Sequence, residues 1–289
     1  MEFLQILITG IGQGCVYGLI ALGFVLIYKA TEIVNFAQGD LMMLGGFSAV
    51  TFIGIFGMSY WLGFIFAVLA MGIFGYLLDK FVIRAIIGEP QFAVVILTIS
   101  LGFIFRAVAG AIWGVDILSL ETPFSGEMLN VEGLVISMDN VIVIIGTLLL
   151  SVVLFLFFKY SNLGIAIQAS SQNQLAAYYM GIPVKKIFSL IWAISAMVAG
   201  VAGTLMAPIS LVSPEMGFIG IKAFAAAVIG GFGSLPGALL GGLIIGSSEQ
   251  LAGAYLPGGF QEIAAYLIMF LVLTVKPQGL FAQIHQKKV

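Results

Sequence analysis

Charged side chains are scarce in this sequence. Of its 289 residues, 8% are charged and 61% are hydrophobic, and the mean hydropathy is +1.18. Soluble domains carry about 25% charged residues, so the composition excludes a soluble globular protein. The apolar runs are also too long and continuous for the alternating pattern of a membrane β-barrel. The sequence therefore predicts a polytopic membrane protein built from helices.

Cysteine and histidine, which metal and redox sites commonly use, occur once each. Cys15 is the single cysteine, which excludes an internal disulfide and a thiolate metal site. His285 is the single histidine and lies in a polar tail, where we expect a solvated side chain. No lysine follows a glycine, so the chain lacks the Gly-Lys-Ser/Thr phosphate loop. We therefore expect no catalysis, no cofactor and no metal, and ATP could act only through a partner subunit. The net charge of −2 indicates no surface for nucleic acid.

The chain contains nine hydrophobic segments. They run roughly over Phe3–Ile27, Phe36–Phe56, Tyr60–Leu78, Phe92–Ile112, Val141–Phe158, Ile187–Ile209, Phe218–Ile229, Ala238–Tyr255 and Phe260–Val275. The seventh is too short to cross about 30 Å of hydrocarbon as a helix. It is therefore a re-entrant half-helix or a span that its neighbours complete. We expect an all-α fold of eight or nine transmembrane or re-entrant helices, in one membrane domain over residues 1–289.

The connections between these segments differ in charge. Most of the 11 basic residues fall on one side if the spans alternate, namely Lys29, Lys80, Arg84, Lys159, Lys185, Lys186, Lys276, Lys287 and Lys288. The connection 114–140 carries five acidic residues and no basic one. The positive-inside rule then places the C-terminus and the loop 159–186 in the cytoplasm, and the acidic loop outside. Nine crossings would put the N-terminus outside, and eight would put it inside.

Two polar breaks interrupt the apolar pattern. The first lies between Lys29 and Gln38, and the second covers Ser213–Glu215; a glycine-rich segment follows each. In the alternating topology the two breaks face opposite sides. Repeats of opposite orientation with broken helices are typical of transporters, which suggests an inverted repeat with halves 1–112 and 187–276. The alternative is that two glycine-rich hydrophobic segments resemble each other by chance.

Polar side chains at these breaks are candidates for a translocation pathway. They are Glu32, Asn35, Gln38 and Asp40 from the early break, and Glu215, Lys222 and Ser234 from the late region. Lipid cannot satisfy such groups, so they must face protein or water. We expect them to orient helix ends and to hydrate a gate. For Asn35 and Gln38 the alternative is that they only cap broken helix ends. Lys222 could counter an acidic group or a substrate carboxylate, but we favour extension of its side chain to the outer surface.

Glycines recur at a spacing of four residues. Gly10, Gly14 and Gly18 form one helix stripe, and two further pairs are Gly237 with Gly241 and Gly242 with Gly246. Small residues at this spacing let transmembrane backbones approach closely. We favour internal helix packing for each set, and a subunit interface is the alternative for the first stripe.

The loop 159–186 contains the pattern of a short capped helix. Ser171 followed by Gln174 matches a capping box, and Gly181 before Pro183 is a helix stop. The pattern predicts a helix from about Gln172 to Met180. Its residues Leu175, Tyr178 and Tyr179 would share one face. Such an aromatic face in a cytoplasmic loop suits docking of a partner protein. The alternative is a helix that lies on the membrane or folds back on its own spans.

Three stretches of the sequence resemble those of a known family. They are Val34–Asp40 with Met43–Gly45, Ala169–Ile182, and Lys222–Gly242. In this order they are similar to the permease of branched-chain amino-acid ABC importers of the LivH type, over essentially the whole chain. The resemblance implies a multi-pass permease of the bacterial inner membrane. It also implies a second, LivM-like permease, two cytoplasmic ATPases that bind ATP, and a periplasmic binding protein as partners.

The chain departs from this family at a few positions. Gln168, Gln172 and Asn173 stand where the family carries charged residues, and Gln38 stands where relatives often have histidine. Docking of an ATPase would then depend on shape and on the two tyrosines. A urea or amide importer uses a closely related permease and stays open as an alternative. A secondary transporter and a channel for a small polar solute are the other candidates.

Overall fold

The computed structural model describes residues 2–86, 89–131 and 134–281. His285, Lys287 and Lys288 therefore lie outside the described residues. The helices are α1 Glu2–Thr31, α2 Gln38–Ala49, α3 Tyr60–Phe81, α4 Gln91–Trp113, α5 Met138–Tyr160, α6 Asn162–Gln172, α7 Gln174–Tyr179, α8 Val184–Ser210, α9 Ile219–Gly230, α10 Leu235–Tyr255 and α11 Phe260–Val275. A π-helical stretch, Val50–Ile55, continues α2, and short 3₁₀ turns cover Ile83–Ile86 and Pro214–Phe218.

Each of the nine predicted hydrophobic segments contains a helix. By length and apolar composition, six helical stretches in the described chain can cross a membrane: Glu2–Thr31, Gln38–Ile55, Tyr60–Ile86, Gln91–Trp113, Met138–Tyr160 and Val184–Ser210. The all-α polytopic architecture is therefore confirmed, and the count of eight or nine spans stays a prediction. One local feature was not predicted. Strands β1 (Met128–Val131) and β2 (Leu134–Ser137) form an antiparallel hairpin in the acidic loop.

Helix α1 lies at the centre of the bundle. Its most apolar window is 89% buried, whereas that of α5 is 17% buried. Helix α1 packs along α10, α8, α9 and α5. Because α5 leaves most of its apolar surface uncovered, its outer face is suited to contact with lipid.

The glycine stripe of α1 faces α10, which runs antiparallel to it. Gly10 lies beside Ser247, and Gly14 lies beside Gly242 and Leu243. A Cβ atom at Gly14 would come within 2.8 Å of the Leu243 Cα atom, so only glycine permits this helix separation. The stripe is thus an internal packing surface. On the other side of α10, Gly237 and Gly241 pack against the backbone of α9.

The helix contacts also fix which ends lie together. The main-chain N–H of Leu280, after α11, donates to the Ile229 carbonyl at the end of α9 (2.8 Å). Arg84, after α3, donates to the Lys185 carbonyl at the start of α8 (3.0 Å). Lys29 and Lys159, from the ends of α1 and α5, line one cavity. We call this end of the bundle the basic end; the N-terminus of α1 lies at the opposite end.

Candidate functional site

Two breaks in the helical pattern begin in the same way. After α1, Glu32 adopts a φ of 57°, and after α8, Leu211 adopts a φ of 59°. They are the only non-glycine residues with positive φ in the described part of the chain. This left-handed conformation is costly for residues other than glycine. It ends α1 and α8 abruptly and returns the chain toward the bundle, where α2 and α9 begin.

The starts of α2 and α9 touch backbone to backbone. A Cβ atom at Gly39 would lie 2.6 Å from the Gly220 Cα atom and would also meet the Gly217 carbonyl. From this contact the two helices run in opposite directions, because α2 is parallel to α8 and α9 is antiparallel to α10. We call the region around Gly39, Gly217 and Gly220 the junction. Since α1 continues past its level to Thr31, the junction lies inside the bundle and not at its surface.

A buried ion pair stands at the junction. Asp40, in the first turn of α2, accepts from Arg106 of α4: Nε lies 2.6 Å from Oδ1 and Nη2 lies 3.4 Å from Oδ2. The guanidinium carbon lies 3.8 Å from the centre of the Phe218 ring. The Asp40 carboxylate also fills the space that a side chain at Gly102 or Gly217 would need. An acidic residue in a first helical turn is favoured by the helix dipole, so the pair stabilises the start of α2.

Neutral polar groups hold the loop before α2. The Asn35 side-chain oxygen accepts from the Ala37 N–H (3.1 Å), and its amide donates to Gln38 Oε1 (3.2 Å). Gln38 in turn donates to the Ser195 carbonyl (3.3 Å). The Ser195 hydroxyl lies 3.1 Å from Gln38 Oε1 and 3.0 Å from the Gly23 carbonyl. Asn35 thus acts locally on the helix start, whereas Gln38 links α2 to α8.

A second polar cluster joins α1, α9 and α10. Lys222 forms an ion pair with Glu249. The Tyr17 hydroxyl donates to the other oxygen of that carboxylate (2.7 Å) and accepts from Gln13 (2.7 Å). Gln250 donates to Gln13 Oε1 (2.5 Å). The expectation that Lys222 extends to the outer surface is therefore wrong, because the lysine counters a buried acidic group.

The other predicted pathway residues lie apart from both clusters. Glu32 and Glu215 are exposed, without an ion pair among the described residues. Ser234 caps α10, since its hydroxyl accepts from the Gly237 N–H (3.1 Å). No group of three histidine, cysteine or acidic side chains within the described residues could hold a metal ion.

The structure adds residues that the sequence interpretation did not assign to the site. They are Arg106, Ser195, Glu249, Tyr17, Gln13 and Gln250. A signal for two of them was present. Arg106 and Glu249 are each the only charged residue of their helices, as Asp40 and Lys222 are of theirs. A lone charge in an apolar span requires a partner, which here comes from another span.

The loop 159–186 forms two helices where one was predicted. Helix α6 begins at Asn162, and the Ser161 hydroxyl caps it by accepting from the Gly164 N–H (2.9 Å). Ser171 lies inside α6 and donates to the Gln168 carbonyl, so the capping box of Ser171 and Gln174 is wrong. Asn173 caps α7 instead, since its side chain accepts from the Ala176 N–H (2.9 Å).

The apolar face of α7 is open to the surroundings. Leu175, Tyr178 and Tyr179 are 69%, 68% and 82% exposed. They do not fold back on the spans of this chain. Gly181 follows with a φ of 83°, as expected for a residue that ends a helix. The short helix therefore presents two tyrosines at the basic end.

A polar brace fixes the chain where this segment enters α8. Asp79 Oδ2 accepts from Ser189 (2.6 Å) and from Arg84 (3.3 Å). With the Arg84 bond to the Lys185 carbonyl, this brace connects α3 to the first turns of α8. The segment that follows α7 is thus tied to both long helices, α3 and α8.

Comparison with known proteins adds a family. Residues 6–275 match the model of the branched-chain amino acid transport system permease component. The chain is 31% identical to the high-affinity branched-chain amino acid transport system permease protein LivH of Salmonella typhimurium strain LT2, covering 100% of this chain and 98% of the relative. It is 30% identical to LivH of Escherichia coli K12 with the same coverage. BraD of Pseudomonas aeruginosa, with the corresponding name, is 29% identical over 100% of this chain and 98% of its own. The chain belongs to the permease component family of branched-chain amino acid transport systems.

Proposed function

We propose that this chain is the translocating permease subunit of an ATP-binding-cassette importer for branched-chain amino acids in a bacterial inner membrane. The observation that carries the proposal is the family match over residues 6–275, together with relatives of that name that align along their whole length. The protein is a transport protein and not an enzyme. Its proposed partners are a second, LivM-like permease, two cytoplasmic ATPases that bind the ATP, and a periplasmic binding protein.

The proposed topology has nine membrane segments and an inverted repeat. Two observations support the repeat: the positive φ angles of Glu32 and Leu211, and the opposite directions of α2 and α9 from their contact. Helix α9 has 12 residues, about 18 Å of helix, and reaches only from the junction to the basic end. The lysines at that end support a cytoplasmic location for it and for the C-terminus, with the N-terminus outside.

The junction is the proposed gate. Helices that begin inside the membrane place their positive ends and irregular backbone beside a pathway. The charged groups of this region, Asp40 with Arg106 and Lys222 with Glu249, already pair with one another. These four buried or half-buried groups are therefore not free to bind the charges of a zwitterion, which suits capture by a separate binding protein. The permease then has to switch between an outward and an inward state. In each state the energy barrier to passage of an aliphatic solute has to be low.

Helix α7 is the proposed docking element for the ATPase. Its exposed tyrosines offer rigid aromatic contacts at low cost in conformational entropy. The brace of Asp79, Arg84 and Ser189 connects the end of this segment to α3 and α8. Helix α8 packs beside α2 and carries Ser195, which holds Gln38. A displacement of α7 therefore has a continuous path to the junction.

The test compares tyrosines in the complete importer. Tyr178→Ala and Tyr179→Ala should reduce leucine uptake into proteoliposomes and reduce the stimulation of ATPase activity by the loaded binding protein. Tyr160→Ala is the matched control, because Tyr160 is an exposed tyrosine at the same end but lies outside α7. Membrane insertion should be unchanged in all three variants. Normal ATPase stimulation in both α7 variants would refute the docking assignment.

Three other functions are separated by the same preparation. A urea or amide importer would take up labelled urea in preference to leucine, with equal dependence on ATP. The buried ion pairs of Asp40 and Lys222 are a feature that proton-coupled carriers also need. A carrier of that kind would transport in response to a pH gradient with the ATPase inactivated. A channel would equilibrate its solute without either energy source. Uptake that stops when the ATPase is inactivated excludes the carrier and the channel.

A further inference from the structure

A cavity opens at the basic end between α1, α5, α6 and the start of α10. Its volume is about 620 Å³, within the range of small-molecule sites, which is about 300–1,000 Å³. Leu22 and Leu239 form its inner wall, and Leu148, Val152 and Phe155 form its outer wall. None of the described residues that line it belongs to the junction or to either ion pair, so the proposed gate does not account for it. We call it the basal cavity.

The charges in the basal cavity have one sign. Lys29, from the end of α1, and Lys159, from the end of α5, both line it, and no acidic side chain of the described residues does. Both lysines are exposed, and neither has an ion-pair partner among the described residues. Gln168, Ser151 and Ser234 add neutral polar groups. An occupant that complements these charges is an anion.

The walls of the cavity add a second requirement. Leu148, Val152 and Phe155 are exposed apolar side chains of α5, which is the least buried of the six candidate spans among the described residues. The cavity therefore opens along a face suited to lipid and not only toward water. A free amino acid does not fit these walls, because its ammonium group would find no carboxylate there. An anion with a long apolar tail satisfies both the lysines and the walls.

We propose that the basal cavity binds an anionic phospholipid. The headgroup phosphate lies between Lys29 and Lys159, and an acyl chain lies against Leu148, Val152 and Phe155. Basic pockets between transmembrane helices suit anionic headgroups, and the cytoplasmic leaflet is the anionic one. Both lysines lie at the basic end, which is the end that we propose to be cytoplasmic.

The site connects lipid to the element that the proposed function uses for coupling. Ile165 and Gln168 of α6 line the cavity, and so do Ser234 and Leu235 at the start of α10. Helix α6 leads directly into α7, and α10 follows the broken helix α9. A bound lipid would hold α6 against α1 and α10 and so restrict the movement of the start of α7. This step depends on the proposed function, but lipid binding itself does not.

The test measures lipid retention by the purified full chain in detergent. Native mass spectrometry with added phosphatidylglycerol and phosphatidylcholine should show one tightly held phosphatidylglycerol and no equivalent phosphatidylcholine. Each lysine contributes about 1 kcal/mol to the free energy of lipid binding, which is roughly a fivefold change in affinity. Lys29→Gln and Lys159→Gln should each weaken phosphatidylglycerol binding about fivefold. Lys80→Gln, at an exposed lysine of the same end outside the cavity, should leave it unchanged.

A second variant tests the apolar part of the site with the lysines intact. Gly233 lines the cavity, and a Cβ atom there would meet no atom within 4 Å, so Gly233→Leu adds an apolar side chain at the cavity wall without a clash at its Cβ. It should weaken phosphatidylglycerol retention at least tenfold while the chain keeps its unfolding temperature.

Three outcomes would overturn the proposal. In the first, Lys80→Gln weakens binding as much as the cavity variants, which indicates a diffuse charge effect. In the second, inorganic phosphate displaces phosphatidylglycerol at equal concentration, which indicates an anion site without a tail. In the third, the assembled importer holds no lipid there, which indicates that a partner subunit covers the cavity. Lipid retention by a wild-type importer that shows no ATP-dependent leucine uptake would instead count against the proposed function alone.

Discussion

The ion pair of Asp40 and Arg106 allows a sharp prediction about the junction. The Asp40 side chain is 2% exposed, whereas that of Arg106 is 20% exposed. Removing the arginine leaves a carboxylate with no route to water, and breaking a buried pair in this way costs about 3–5 kcal/mol. Removing the carboxylate is less harmful, because Arg106 keeps its contact with the Phe218 ring and can reach solvent. We expect a loss of about 2 kcal/mol for Asp40→Asn, within the range of about 1.5–3 kcal/mol for a hydrogen bond to a charged group.

The double variant separates pairing from other effects. In Asp40→Asn with Arg106→Gln, neither side chain is charged and the two amides can still bond. We expect the double variant to be more stable than Arg106→Gln alone, with a coupling energy of about 2–3 kcal/mol. Glu215→Gln is the matched control, because Glu215 is an exposed acid near the same junction. Its effect should stay within about 0.5 kcal/mol.

The assay is reversible unfolding of the full chain in mixed detergent micelles, followed by tryptophan fluorescence. Trp113 stacks on Phe47 of α2 at a ring distance of 5.0 Å, so its emission reports on the packing of this helix. An Arg106→Gln protein as stable as Glu215→Gln would refute the reasoning. It would mean that the carboxylate finds another partner or is not charged.

Three further outcomes follow from local geometry. Asn173→Ala removes the cap of α7 and should lower the stability of that helix by about 1 kcal/mol, measured as faster hydrogen exchange of its amides. Ser171→Ala should leave this exchange unchanged. Gly14→Leu forces α1 away from α10 and should lower the free energy of unfolding by about 3 kcal/mol. Gly54→Ala should leave it nearly unchanged, because its Cβ atom would only touch Val50 Cγ1 at 3.9 Å. Tyr17→Phe removes a hydrogen bond to a buried carboxylate and should cost about 1.5–3 kcal/mol in the same unfolding assay.

The positions of the long helices could be predicted because they depend on local properties. Every hydrophobic segment contains a helix, since length and apolar composition are enough to indicate one. The alternative caps were harder to rank. Ser161, Ser171 and Asn173 are all competent cap residues within one polar loop, and the sequence pattern favoured the wrong one. Which of them caps a helix depends on how α6 turns back against the end of α5, a tertiary contact.

The partners of the buried charges could not be derived from local pattern either. Arg106 pairs with a residue 66 positions earlier, and Glu249 pairs with one 27 positions earlier and bonds to one 232 positions earlier. A lone charge in each span indicated that partners were needed but not which ones. The hairpin of β1 and β2 was missed because it is short and lies in a loop selected only for its acidic charge.

The contact between Gly39 and Gly220 has a mechanical consequence. Interlocked side chains resist sliding, since any shift must repack them. Two bare main chains present a smooth, shallow surface and can tilt against each other with little repacking. The starts of α2 and α9 therefore meet at a contact that a small tilt need not repack, while Arg106 holds α2 from one side and Glu249 holds α9 from the other. A change in the angle between the two short helices would then be resisted by these two ion pairs and not by interlocked side chains at the contact itself.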